Sequence, residues 1–323
     1  MKNTKVRAIA DTAVASALGA LFIIIMVYVT PLTTLMSFVI GVPTIYIAYK
    51  WDWRFACLCT LCSAFAAFVL IGDALSLGLI IVTYVLPGLV FGICISKRVK
   101  TFNAIMFSAL AAIIGFVAEL MLLNGGGDGI LNLIKEFTGN MEQTLGAAVS
   151  QAGVFSENDI KVIISEMMEQ TADMFMLYLP SFVIIAAAIY AYCSSVFSLF
   201  ILKRVGLKNV PKLKFYMLHA PKSMCIAVII LFVLCVGDDG KTVYMAALQN
   251  LLFILTSAIA VCGIATIDYR LKKHIKSGYI RTIIYISVFF AGVAFASSIM
   301  TILTVLGFVD GMRGSRVSEE VGD

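Results

Sequence analysis

The chain has 323 residues, 61% of them apolar and 13% charged, and 24 Lys and Arg outnumber 19 Asp and Glu for a net charge of +5. A soluble domain is near half apolar and a quarter charged, so this composition excludes one and gives an integral membrane protein. The apolar runs lack the alternation of an outer-membrane barrel, which leaves an all-α fold: a polytopic membrane helix bundle.

Apolar runs fall at 10–29, 33–49, 55–72, 75–96, 103–123, 174–202, 222–237, 242–267 and 281–308. Crossing the hydrocarbon takes about 20 apolar residues as helix. The short second and seventh runs therefore leave the count at eight or nine transmembrane helices. The first run follows "MKNTKVR" and continues to Val29 with no small-x-small cleavage pattern, so it reads as an uncleaved span rather than a secretory signal. It opens with "TAVASALGA": Ala13 and Ala17 stand four apart, and Ser16 and Ala20 repeat that spacing one residue round. Small residues so spaced let another helix approach closely, from within the bundle or from a partner.

Pro43, Pro87 and Pro180 interrupt the second, fourth and sixth runs. Each frees a carbonyl and kinks its helix, a feature of inert bundles and of transporter binding sites alike. Pro87 is followed by Gly88 and Gly92, a small-xxx-small packing face. "CLCTLC" in the third run places Cys57, Cys59 and Cys62 at zinc-like spacing, but no His, Asp or Glu follows within ten residues. Cys57 and Cys59 also point to different helix faces, so these thiols read as small apolar residues, and no metal or cofactor is expected.

Glu119 is the one carboxylate well inside a run. Intramembrane acids face a cavity or a partner, or lie near enough to an edge to reach water, here towards Asn124. After the fifth run, "NGGGDG" opens a long connection, 124–173. Ile130, Ile134, Phe137, Met141 and Leu145 repeat there at helical spacing. Ser156 and Asp159 mark the start of a second amphipathic helix, which would lie in the lipid interface or fold over the bundle as a lid. Gln249 and Asn250, with Tyr84, Tyr178, Tyr190 and Tyr192, put polar groups at membrane depth. "GDDGKT" (237–242) lacks the first glycine of a phosphate-binding loop and reads as a turn. No HExxH, GxSxG, Cys/His pair or paired carboxylates occurs within a run, so no catalytic residue is assigned and an enzyme is not expected.

Charge orients the spans. With the N-terminus in the cytoplasm, the inner segments 1–11, 50–54, 97–100, 203–222 and 268–281 hold nineteen of the 24 Lys and Arg and, among acids, only Asp11, Asp52 and Asp268. The positive-inside rule predicts that imbalance, so the net charge is a topology signal rather than a nucleic-acid patch. The organisation expected is a six-helix membrane domain over 1–202 that includes the outer loop 124–173, further membrane helices with basic loops over 203–309, and a flexible tail over 310–323.

The order of features resembles the YybS family of bacterial multi-pass proteins. The matching stretches are the Ala-rich first span, "LPGLVFG" before "SKRVK", "LYLPSFVII", "LKRVGLKNVPKLKFYMLHAPKS", "ALQNLLFIL" and "LGFVDGMRGSR". The first six spans of that family are in turn similar to the membrane substrate-capture subunits of energy-coupling-factor vitamin transporters. The resemblance implies that Ala13 and Ala17 dock an energising membrane partner, in the bacterial plasma membrane. It also implies a small-solute pocket in the outward half of the first six helices. Glu119 and Asn124 are the binding residues expected there, with Asp128 and Tyr178 behind them. The alternative is a non-transporting scaffold or regulator that works through the basic cytoplasmic loops.

Overall fold

The computed structural model describes residues 2–123, 157–207, 210, 211, 213, 215–236, 242–275 and 296–313, with 132, 136, 139, 140, 277, 280 and 283. Every regular element among them is helical: α1 (Lys2–Tyr28), α2 (Thr33–Val39), α3 (Val42–Lys50), α4 (Trp53–Ile71), α5 (Ala74–Ile80), α6 (Leu86–Ser96), α7 (Thr101–Leu123), α8 (Glu157–Arg204), α9 (Lys222–Cys235), α10 (Val243–His274) and α11 (Ala296–Arg313). Seven stretches of described helix are long and apolar enough to cross a membrane, which makes the chain an all-α polytopic membrane protein.

Two of those crossings are discontinuous. Thr30–Lys50 is built from a 3₁₀ turn, α2 and α3, and Ala74–Ser96 from α5, a π-helical turn at Ile81–Val85, and α6. Local chemistry sets the ends of the neighbouring helices. Asp52 accepts a hydrogen bond from Trp53 N (2.8 Å) to start α4, and Gly72, at φ +74°, stops it in the left-handed region. Asp73 accepts from Leu75 N at 3.0 Å and starts α5.

One expectation changes and two bounds are made definite. The seventh run is a helix of only 14 residues, ~21 Å long and short of the ~30 Å hydrocarbon layer. Residues 157–169 are not a separate amphipathic helix but the first turns of α8, whose 48 residues run on through Pro180. The tail does not begin at 310, because α11 continues to Arg313. There Gly311 is held so close that an added Cβ would lie 2.8 Å from Ala220 O. The expected amphipathic helix at 130–145, the Ser156 cap, "NGGGDG" and the Gly237–Gly240 turn fall mostly or wholly outside the described residues, as does the first half of the ninth run.

The chain forms two compact units: Met1–Met176 with Phe182–Leu213, and Leu177–Ser181 with Lys214–Asp323. In the first, Ile45, Phe91, Ile95, Ala104, Ile105, Ala191 and Leu202 form the largest buried cluster. The basic segments gather at one end of it. Lys50 Nζ pairs with Asp11 Oδ2 at 2.6 Å, Trp51 Nε1 donates to the same oxygen at 2.9 Å, and Lys97 Nζ sits 5.9 Å from the Trp53 ring. Leu207, Val210 and Leu213 pack beside Tyr46 and Tyr49 against the cluster, bringing the connection after α8 to that same end.

In the second unit α10 and α11 touch backbone to backbone. A Cβ on Gly307 would overlap Ile259 O, and one on Gly263 would overlap Leu303 O. Small residues at a helix crossing supply the close van der Waals contact that membrane helices need, because apolar area alone gives them no reason to associate. Lys272 Nζ lies 4.3 Å from the Tyr216 ring and 2.7 Å from Asp268 Oδ2, so two basic segments meet in this unit too.

Candidate functional site

The two broken spans of the first unit meet face to face. Pro43 and Pro87 have no N–H, so Val39 O and Thr83 O lose the donors that a regular helix would give them. A Cβ on Gly88 would lie 2.8 Å from Gly41 Cα, so glycine on both sides allows the breaks to come together. Gly115 of α7 presses on the π-turn in the same way: an added Cβ would overlap Thr83 Cα and stand 2.8 Å from Val82 O.

In lipid, irregular backbone must find its partners within the protein. Here α7 and α8 supply them. Tyr190 Oη lies 3.0 Å from both Ser37 O and Tyr84 O, so one phenolic hydrogen bridges the two breaks. One turn further on, Ser194 Oγ donates to Phe38 O at 3.3 Å, and Ser108 Oγ of α7 donates to Pro87 O at 2.9 Å. The Tyr190 ring stacks on Phe38 at 5.8 Å and meets Tyr84 and Phe116 edge-on at 5.7 and 5.9 Å. Such pairs contribute ~0.5–1.5 kcal/mol each beyond the area they bury.

Glu119, one helical turn beyond Gly115, faces this crossing. Its carboxyl neighbours the Thr83 hydroxyl and the Tyr84 phenol. Yet Glu119 Oε2 and Thr83 Oγ1 are both buried without a well-formed hydrogen bond. Buried polar atoms are ordinarily hydrogen-bonded, so two that are not, side by side at a helix break, set this crossing apart.

The other expected residues lie elsewhere. Asn124 and Asp128 are outside the described residues. Tyr178 belongs to the second unit, where its ring lies 5.2 Å from that of Phe253. The two small-residue stripes of α1 separate. Thr12, Ala15, Ser16 and Ala20 are buried, and Ser63 Oγ of α4 donates to Ser16 O at 3.0 Å, whereas Ala13 and Ala17 are exposed beside Val14 and Leu18. The thiols also diverge, Cys59 being buried and Cys62 exposed. Among the described residues no three His, Cys, Asp or Glu come together as a metal site.

Sequence reasoning missed Thr83, Phe38 and Phe116. The first had a signal: it stands four residues before Pro87, where a hydroxyl accompanies a freed carbonyl. Nothing in the spacing marks the two phenylalanines.

No curated protein and no solved structure matches the chain. A family model described as a predicted membrane protein (DUF2232) matches residues 17–311, in keeping with the YybS resemblance. That match spans nearly the whole sequence, and the chain belongs to this family of membrane proteins.

Proposed function

We propose that the chain binds a small solute bearing N–H or O–H donors at the crossing of its two broken spans, and moves it or reports on it without catalysing a reaction. One observation carries the reading: Glu119 Oε2 and Thr83 Oγ1 are buried, adjacent and without a well-formed hydrogen bond, and both can accept a donor. The rings of Tyr84, Phe116 and Tyr190 supply an apolar wall beside them. Discontinuous helices place backbone carbonyls and side chains together at membrane depth, which is how many transporters build their sites.

In this reading the basic end of the first unit faces the cytoplasm of a bacterial cell, as the positive-inside rule requires. Glu119 then lies eighteen residues from Thr101, ~27 Å along α7 towards the outer side. The exposed Ala13 and Ala17 stripe is where an energising partner would dock, after the manner of substrate-capture subunits. Its exposure, set against the buried Ser16 and Ala20 stripe, supports that assignment.

The test is mass spectrometry of small molecules that co-purify with the wild-type chain and with Glu119→Gln and Thr83→Val. A molecule enriched with the wild type and lost from both variants, with their folding intact, supports the site. Identical profiles for all three overturn it. Affinity purification with Ala13→Leu and Ala17→Leu addresses the partner: loss of an ATPase subunit supports transport. If partners are lost only when the basic residues of 203–214 are neutralised, the scaffold reading takes its place.

A further inference from the structure

The second unit holds a cavity of about 410 Å³ between α9, α10 and the Tyr178 segment, lined by Tyr178, Val228, Phe232, Gln249, Phe253 and Thr256 among others. That volume falls within the range of small-molecule sites, roughly 300–1,000 Å³. Its lining contains no charged side chain. Gln249 is the one amide on that lining, and its Oε1 is buried and has no hydrogen-bond partner. Thr256 does not fill that role, because its hydroxyl donates to Leu252 O at 2.9 Å and Phe253 O at 3.1 Å. Asn250, next to Gln249, has both ends of its amide occupied by Leu177 O and Ser181.

We propose that this cavity binds a neutral, long-chain lipid alcohol from the bilayer, its hydroxyl on the Gln249 amide and its chain along α9 and α10. Uncharged walls exclude a phosphate or carboxylate head, which would be desolvated without compensation. A buried amide oxygen without a donor selects a ligand that carries one, and a hydroxyl satisfies a primary amide in either of its two orientations. The entrance points to lipid rather than to water: Ile229 and Phe232 on the α9 wall are 47% and 61% exposed on an apolar helix. Gln249 stands six residues after Val243, ~9 Å into α10, near the depth where a lipid's polar end sits. Val228 and Thr256 lie deeper from the same ends and match the chain.

The experiment uses the full-length protein in nanodiscs with a diazirine-bearing hexadecanol as probe. A diazirine alkane of equal length and a diazirine palmitate serve as comparisons. The alcohol is expected to label peptides from 222–235 and 243–256 more strongly than either comparison, with excess 1-hexadecanol competing. Gln249→Leu should lower labelling by the alcohol about fivefold, as loss of one buried hydrogen bond implies, and leave labelling by the alkane unchanged. Ile229→Trp, a change on the exposed rim that spares the fold, should block labelling by both. Equal labelling by alcohol and alkane, or labelling by alcohol that ignores both variants in protein of unchanged melting temperature, overturns the proposal. Competition by 1-butanol, mole for mole as effective as hexadecanol, would assign the cavity to a water-borne solute and overturn it as well.

Discussion

Asn250 of α10 sets its amide against α8 beside Pro180, meeting Ser181 on one side and Leu177 on the other. Asn250 Nδ2 donates to Leu177 O at 2.7 Å, and Asn250 Oδ1 accepts from Ser181 N at 3.2 Å and from the Ser181 hydroxyl. Leu177 O and Ser181 N are the two groups a regular helix would pair with each other, so a side chain from another helix spans the step next to the proline. This contact explains why Leu177–Ser181 groups with the second unit while the rest of α8 groups with the first.

Asn250→Leu should therefore destabilise the protein by about 1–3 kcal/mol, the cost of leaving buried backbone groups unpaired. With Pro180→Ala, the local helix can close its own hydrogen bonds and the same change should cost less. A double-mutant cycle on thermal unfolding in detergent measures the difference. Additivity within about 0.5 kcal/mol would refute the splice.

Tyr190→Phe keeps the ring against Phe38, Tyr84 and Phe116 but removes the hydroxyl that faces Ser37 O and Tyr84 O. The expected loss is about 1–2 kcal/mol, set by orphaned carbonyls rather than by a cavity. Tyr190→Ala adds the cavity and should cost about 3–5 kcal/mol, as for large-to-small changes at buried aromatics. Both losses are read from melting in detergent micelles, and a Tyr190→Phe variant that melts with the wild type would show that the hydroxyl bridges nothing.

The membrane architecture was legible in the sequence because composition reports solvent directly: lipid-facing helices must be apolar, and Lys and Arg collect where the chain leaves the bilayer. Pro43 and Pro87 marked the right spans, but proline alone does not say whether two breaks meet. That depends on Gly41 facing Gly88, a contact between residues 47 apart. Glu119 was visible as the lone intramembrane acid, while its neighbour Thr83 carried only the weaker signal of standing four residues before Pro87, where a π-turn now lies. Tyr178 was grouped with Glu119 on polarity and depth alone. Its place is set by Asn250, on a helix some seventy residues later. The shortness of the seventh run was visible, but the reach of α8 back to Glu157 was not, because hydropathy marks where apolar residues are, not where backbone hydrogen bonding stops.

Two glycines should respond oppositely to alanine. Gly78 has open space where a Cβ would go, and it lies within α5. Gly78→Ala should stabilise by about 0.5–1 kcal/mol through helix propensity. Gly88→Ala places a methyl 2.8 Å from Gly41 Cα, where backbone must move, so it should destabilise by about 1–3 kcal/mol. Thermal melts of the two variants side by side check the sign. Stabilisation by Gly88→Ala would mean that the broken spans do not touch.

The Asp73 carboxyl is held below the usual carboxylate range by hydrogen bonds from the Ser76 hydroxyl and from Leu75 N–H. A group whose folded pKa is depressed adds stability above its unfolded value, ordinarily about 3.9, and loses that contribution as pH falls through the folded value. Amide protection of Leu75 and Ser76, corrected for intrinsic exchange, should stay level from neutral pH down to about 5 and fall below about 4. Asp73→Asn, which caps without ionising, should flatten that profile. An unchanged profile in the asparagine variant would assign the acid sensitivity elsewhere.

The two stripes of α1 offer a separation of folding from docking. Ala15 is 4% exposed and packs with Ile47, Ala48, Ala56 and Cys59, so Ala15→Leu forces bulk into a filled contact and should cost about 1–3 kcal/mol. Ala13 and Ala17 point out of the unit, where a larger apolar side chain meets lipid at little cost. Ala13→Leu and Ala17→Leu should therefore melt within about 0.5 kcal/mol of the wild type, as surface changes do. The same changes keep another membrane helix from approaching the stripe, because close contact needs small residues on at least one side. Recovery of a partner by cross-linking in intact membranes should drop for Ala13→Leu and Ala17→Leu while melting does not. If melting fell as far for these two as for Ala15→Leu, the outward stripe would be part of the fold and unavailable to any partner.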